Sequence, residues 1–272
     1  MRAYLIFIFI TFLSLISMAQ DSNTVTNISN NLGTTMSSRA IYKGTLLTGV
    51  NFSSNNATVG YNNFEYKTKS LSIPGIFVGY GISKNVDIRV STGYAKREWE
   101  SNGGVSGPQN GGFSGLSGIG IGSTVNLFKQ KKWLPELAFS LDTYIPNYDF
   151  NNDVNVNLKS TLAWRYYLGN NFRVGGNFFM RNFINQSYSN HFTTEFSFTL
   201  NTRYELQNGL GMFVDVLSPT FNLNSLYPSA GVYYRIKKNL QIQVTVGKSY
   251  HFNQDVESKY VAGGFNWLLF NK

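Results

Sequence analysis

The 272-residue chain holds 23 Lys and Arg against 14 Asp and Glu, a formal net charge of +9, and no Cys. The lack of thiols excludes a disulfide framework, thiolate catalysis and a Cys-based metal centre. Charged residues are 14% and aromatics 16%, whereas a soluble domain carries about a quarter charged residues, so the composition suits a surface that faces lipid. The basic excess is scattered over turns and alternating positions with no basic helix, which gives no reason to expect a nucleic-acid partner.

Residues 1–19 read as a secretory signal: Arg2 supplies the charge, Ala3 to Ile16 the apolar run, and Ser17-Met18-Ala19 the cleavage site before Gln20. No Cys follows, which excludes a lipoprotein, and no other stretch is apolar and long enough for a spanning helix. Residues 20–40 are polar and aperiodic and are expected to be a periplasmic leader, or a partial plug of whatever follows. The remainder, 41–272, alternates in steps of two. A first strand is expected over 41–53, with Tyr42, Leu46, Val50 and Phe52 in phase, ended by Ser54 to Asn56. The next covers 59–82, where Pro74 marks a bulge, a bend or a split. A third runs over 86–97, then a Gly-rich loop over 99–112, then strands over 115–128 and 133–145.

The clearest unit is Asp153 to Met180. Val154, Val156, Leu158, Leu162, Trp164, Tyr166 and Leu168 take one face, and Asp153, Asn155, Lys159, Arg165 and Tyr167 the other. Gly169-Asn170 is a hairpin turn, and the phase resumes through Phe172, Val174, Phe178 and Met180. Further strands are expected over 191–206, 210–217, 226–236, 240–252 and 259–270, about twelve in all.

Alternation alone does not say which face meets water. Two regularities decide. Short turns at 83–85, 129–132, 169–170, 207–209 and 237–239 alternate with longer connections near 54–58, 99–112, 146–152, 183–190, 218–225 and 253–258, the asymmetry of outer-membrane barrels. Large aromatics on the apolar face also gather beside the short turns: Trp133, Trp164, Tyr166, Phe172, Tyr204, Tyr234 and Trp267. A second set, Phe52, Tyr94, Phe192, Tyr250 and Phe252, lies near the longer loops. Two such belts describe membrane interfaces. The expected fold is therefore all-β, a transmembrane antiparallel up-and-down barrel with its apolar face outward. Outer-membrane lipid, lipopolysaccharide and the barrel-assembly machinery are its expected partners.

Two stretches, Ser114 to Asn147 (SGLSGIGIGSTVNLFKQKKWLPELAFSLDTYIPN) and Pro228 to Tyr250 (PSAGVYYRIKKNLQIQVTVGKSY), with the hairpin Val78 to Gly93 (VGYGISKNVDIRVSTG), resemble the outer-membrane transporter family labelled "MetA-pathway of phenol degradation". Relatives often carry an acidic residue after the Gly-x-Gly of the first stretch, where Gly118-Ile-Gly120 here continues with Ile121. The resemblance implies passage of small, aromatic or hydrophobic compounds across the outer membrane, and it brings no catalytic residues and no cofactor. The richness in Asn, Lys, Tyr and Phe resembles, by composition alone, outer-membrane proteins of the Bacteroidetes, a Gram-negative group.

An inside-out barrel turns the polar phase into a lumen wall. Its charged positions, Arg89, Glu136, Asp142, Lys159, Arg165, Arg173, Arg181, Glu195, Arg203, Asp215 and Arg235, are the functional candidates, joined by Asp87, Arg97 and Glu205. They suit a weakly anion-preferring pore or a polar-solute site, but a bracing network of cross-strand pairs is the favoured expectation for most of them. Hydrolysis would need a nucleophile and a base. Ser249, His251 and Asn253 share a face at two-residue spacing, and Ser189 and His191 repeat part of it. Neither set makes a catalytic site the favoured expectation. The Gly-rich 103–120 stretch lacks the following helix and the GK[ST] element of a phosphate loop.

Overall fold

A computed structural model describes residues 40–269, apart from 42, 62–63, 103–107, 147–153, 170, 186–190, 220–223, 238 and 253–254. The alternating stretches form strands β1 (Leu46–Tyr61), β2 (Phe64–Gly81), β3 (Val86–Asn102), β4 (Gln109–Phe128), β5 (Glu136–Pro146), β6 (Val154–Leu168), β7 (Phe172–Asn185), β8 (His191–Glu205), β9 (Leu210–Ser218), β10 (Ser225–Lys237), β11 (Leu240–Lys248), β12 (Tyr250–His251) and β13 (Asp255–Leu269). Each pairs antiparallel with its sequence neighbour, except that β11 and β12 are one stave interrupted at Ser249, and β13 pairs with both β11 and β1. The sheet therefore closes as a twelve-stave barrel with no free edge, the condition for a strand structure to satisfy its backbone in lipid.

The faces sort inside out. Ile88, Val90, Ile121 and Val244 are 47%, 48%, 53% and 48% exposed, whereas Asp87, Glu136 and Asp215 are each 2% exposed. No soluble sandwich survives that arrangement, because burial of apolar area drives its folding. Here the solvent of the outer face is hydrocarbon. Gly169, at φ +79, supplies the left-handed residue of the β6–β7 turn.

Several strands run past their sequence-based ends. Ser54 to Asn56, expected to break the first strand, continues inside β1, and β3 and β4 extend into the expected 99–112 loop. The cause is visible on the outer wall. Beyond the apolar band the outward residues become ion pairs: Lys67–Glu65 at 2.9 Å, Lys96–Glu98 at 2.6 Å, and Glu257 with Lys259 and Lys248 at 2.9 and 3.1 Å. The strands continue into water, where polar outward residues cost nothing. Pro74 stays within β2, and both of that strand's ladders skip positions 73–74. The feature is thus a bulge, which absorbs the missing proline N–H.

The chain enters the barrel from inside. Ala40 is 5% exposed, and its N–H donates to Asn126 Oδ1 at 2.7 Å. The Ile41 N–H donates to Asp87 Oδ2 at 2.8 Å. Gly44 and Thr45 then exchange backbone bonds with Gly81 before β1 begins. The expected signal peptide and nearly all of the expected leader lie outside the described residues.

Candidate functional site

The inner wall is a set of cross-strand rows. Register places Arg89 opposite Gly122, Gly122 opposite Asp142, Asp142 opposite Lys159, Lys159 opposite Arg181, and Arg181 opposite Glu195. This row spans β3 to β8. Its members are joined: Arg89 Nη2 donates to Asp142 Oδ1 at 3.3 Å, and Arg181 Nε donates to Glu195 Oε2 at 3.0 Å. Lys159 Nζ sits 4.2 Å from the centroid of Phe179. One turn nearer the β3 start, buried Asp87 accepts from Thr124 N at 3.0 Å, and Arg89 Nε lies 3.5 Å from it. Three cations, Arg89, Lys159 and Arg181, thus face three acids, Asp87, Asp142 and Glu195.

A second band lies closer to the short turns of β6 to β10. Glu136 is opposite Arg165, with their side chains 3.6 Å apart. Arg165 is opposite Gly175, Gly175 opposite Asn201, and Asn201 opposite Asp215. In the next row Tyr167 is opposite Arg173, Arg173 opposite Arg203, and Arg203 opposite Phe213. Glu205 takes Arg235 at 2.9 Å and Arg173 at 3.5 Å, and the Tyr233 hydroxyl donates to it at 3.0 Å. All eleven lumen candidates therefore lie on the inner wall, divided into two bands.

Aromatic rings lie flat on this wall where a glycine faces them. Tyr233 is opposite Gly211, Phe213 opposite Gly231, and Tyr260 opposite Gly247. A Cβ on Gly211 would stand 2.1 Å from the Tyr233 ring, and one on Gly247 would stand 2.3 Å from Tyr260. Sequence reading missed these pairs because the glycine and its ring lie on different strands, and only register unites them. It missed the Asp87 contact to Ile41 for the same reason.

The outward aromatics Phe172, Tyr204, Tyr234 and Trp267 are exposed at the short-turn end, and Trp133 is 90% exposed in the β4–β5 connection. Trp164 and Tyr166 are half-buried on β6, and the Tyr166 hydroxyl donates to Lys132 O. At the other end His251 does not meet Ser249. Its Nδ1 lies 2.8 Å from Ser225 Oγ and its Nε2 3.3 Å from the Tyr227 hydroxyl. The break of the stave at Ser249 re-pairs His251 with Ser225 on β10. Ser189 and Asn253 lie outside the described residues, and nothing is assigned to the His191 side chain.

A closed barrel with a lipid-compatible exterior and an ordered ionic interior is an outer-membrane barrel protein. The family model for the putative MetA-pathway of phenol degradation matches residues 29–270, and the chain belongs to that family. No curated protein matches it. Among solved structures it is similar to the COG4313 outer membrane channel from Pseudomonas putida F1, at 12% identity over 86% of this chain and 98% of that one, with a TM-score of 0.62. It is also similar to the translocator domain of the autotransporter NalP from Neisseria meningitidis, at 10% identity over 82% and 88% with a TM-score of 0.53. The transport unit of the autotransporter AIDA-I from Escherichia coli follows, at 8% identity over 95% and 97% with a TM-score of 0.51. At these identities the likeness concerns the fold.

Proposed function

We propose that the protein is a passive outer-membrane transporter for small solutes, aromatic or hydrophobic compounds among them. The observation that carries this reading is the inner wall. Eleven charged candidates are held there by cross-strand contacts in two bands, and Arg165, Arg173 and Asp142 keep 18%, 20% and 27% of their side-chain surface accessible. A wall fixed in this way can hand a solute between sites without moving a domain. Membership of a family described by phenol degradation, and the likeness in fold to the P. putida outer membrane channel, support the same class. Lipopolysaccharide and the assembly machinery are the partners such a barrel would need.

A second reading, a closed barrel whose loops act at the surface, is favoured by one feature. The chain at Ala40 and Ile41 enters the lumen and is bonded there. Reconstitution separates the two. Transport predicts discrete conductance steps in planar bilayers and uptake of small solutes into liposomes. Silence in both assays with correctly folded barrel would leave only the closed reading.

A further inference from the structure

Arg97 stands apart from both charge bands. It faces inward on β3 toward the long-loop end, about 25 Å along the strand from Arg89, the next inward cation of β3. The neighbouring β4 and the next strand but one, β1, hold no charged residue, and the charges of β2, Glu65, Lys67 and Lys69, lie on its outer face. On β3 itself Glu98 and Glu100 alternate outward, and Glu98 is taken by Lys96 at 2.6 Å. Among the described residues Arg97 therefore has no acid. Its Nε is without a hydrogen-bond partner, and the group with which it interacts electrostatically is Tyr66. A part-buried guanidinium without a counter-charge gains from an anion that reaches it, because the wall screens it less than water does.

The neighbours say what kind of anion. The inward row on one side of Arg97 holds Trp99 opposite Gly111, and the row on the other side holds Ala95 opposite Gly115. Trp99 lies against Gly111, where a Cβ would stand 2.6 Å from the indole, and it stacks with Tyr66, 6.2 Å between centroids and 25° between planes. Tyr66 thus touches on both Trp99 and Arg97, and the two rings and the guanidinium share one space. On the other side a Cβ on Gly115 would meet nothing within 4 Å. Arg97 has an aromatic surface to one side and open room to the other. One guanidinium matches one planar, singly charged, bidentate acceptor, which is a carboxylate. The rings suit a flat apolar body.

We propose that Arg97, with Tyr66 and Trp99, forms a lumen site for the carboxylate of a small aromatic acid, its ring resting beside the two aromatic side chains. The proposal rests on the transport reading for its purpose but not for its chemistry. Trp99 is one of four tryptophans, and replacing Trp133, Trp164 and Trp267 by Phe leaves it as the reporter. The probe is 4-nitrobenzoate, which quenches indole emission, with 4-nitrobenzyl alcohol as the neutral counterpart, each titrated into the full barrel in detergent. Quenching by 4-nitrobenzoate is expected to saturate, with a half-point at least about tenfold below that of the alcohol. Arg97→Gln should raise that half-point about tenfold or more. Arg97→Lys, which keeps the charge and loses the fork, should fall between. Tyr66→Leu should raise it about threefold or more. Lys96→Gln, which removes the same charge from the outer face of the same strand, should change nothing. Folding of each variant is read from its heat-dependent gel shift. If Arg97→Gln does not fold, Arg97→Lys and Tyr66→Leu carry the test, and if the three-Phe background does not fold, equilibrium dialysis of the same probes against the otherwise unaltered barrel replaces quenching. Absence of saturable binding, equal half-points for acid and alcohol, or an unchanged half-point in the folded Arg97 variants overturns the site. A barrel that binds 4-nitrobenzoate but passes no current and takes up no solute refutes the transport reading and leaves the site standing. A barrel that conducts but ignores 4-nitrobenzoate does the reverse.

Discussion

The Asp142 carboxylate lies across Gly122 to reach Arg89 on the strand beyond, Oδ1 to Nη2 at 3.3 Å. The two residues are not adjacent in the sheet, and β4 runs between them. They meet because the position between carries no side chain. A Cβ at Gly122 would stand 1.9 Å from Asp142 Oδ1. Gly122→Ala should therefore push the carboxylate aside and cost about 1–2 kcal/mol, the worth of a charge-assisted bond in a partly wet wall. Urea unfolding in liposomes measures it. In a double-mutant cycle with Asp142→Ala the two losses should be far from additive, and full additivity would show that the bridge contributes nothing.

Asp87 has a different task. It accepts from the N–H groups of Ile41 and Thr124, and it is 2% exposed. Asp87→Ala leaves both donors without their carboxylate, at about 1.5–3 kcal/mol for each bond to a charged group. The segment before β1 should then loosen. Trypsin should cut at exposed Lys43 faster than in the unaltered barrel, and single-channel conductance should rise. Unchanged cleavage would mean that the Gly44, Thr45 and Gly81 bonds hold the segment alone.

Gly211 tests the rings. Its side-chain space is filled by Tyr233, which holds Glu205 at 3.0 Å and accepts from Arg173 at 3.1 Å. Gly211→Val should lift the ring off the wall and cost about 1–3 kcal/mol by overpacking. Tyr233→Ala in the same background should recover part of that loss. Thermal unfolding followed by gel shift measures both.

The outer collar should respond to acid. The Glu257 carboxyl lies beyond the apolar band. Hydrogen bonds from Lys259 first, then Lys248, hold it below its ordinary value of 4.5. A carboxyl lowered on folding stabilises at pH above its unfolded value and loses that contribution as pH falls through the lowered folded one. Protection of amides at the start of β13, relative to their intrinsic exchange rate at each pH, should therefore fall below about pH 4.5. In Glu257→Gln that protection should already be low at neutral pH and change little with acid.

The division of each strand into two faces was legible because a period of two needs only the neighbours in sequence. Leu158 and Leu162 face out and Lys159 faces in, as their alternation requires. What was not legible depends on distance in sequence. Ser54 to Asn56 looked like a break because polar residues end strands in water-soluble folds, yet above a membrane they continue one. Tyr233 above Gly211 and Asp142 above Gly122 depend on register across strands. The pairing of His251 with Ser225 rather than Ser249 depends on a stave that breaks for one residue, which no local pattern announces.

The seam between β1 and β13 runs without a slip from Leu46–Leu269 to Gly60–Asp255. Within it the Ser258 hydroxyl donates to Asn55 Oδ1 across a sequence separation of 203 residues. Such a contact forms only after nearly the whole chain has been made, and closing so long a loop is entropically slow. Until that moment the sheet has two bare edges and an apolar face with no hydrocarbon to meet. The unclosed sheet is thus the form most prone to aggregate, up to the pairing of β1 with β13. Pairing of the fifteen-residue β13 with both β11 and β1 removes the two edges in one step.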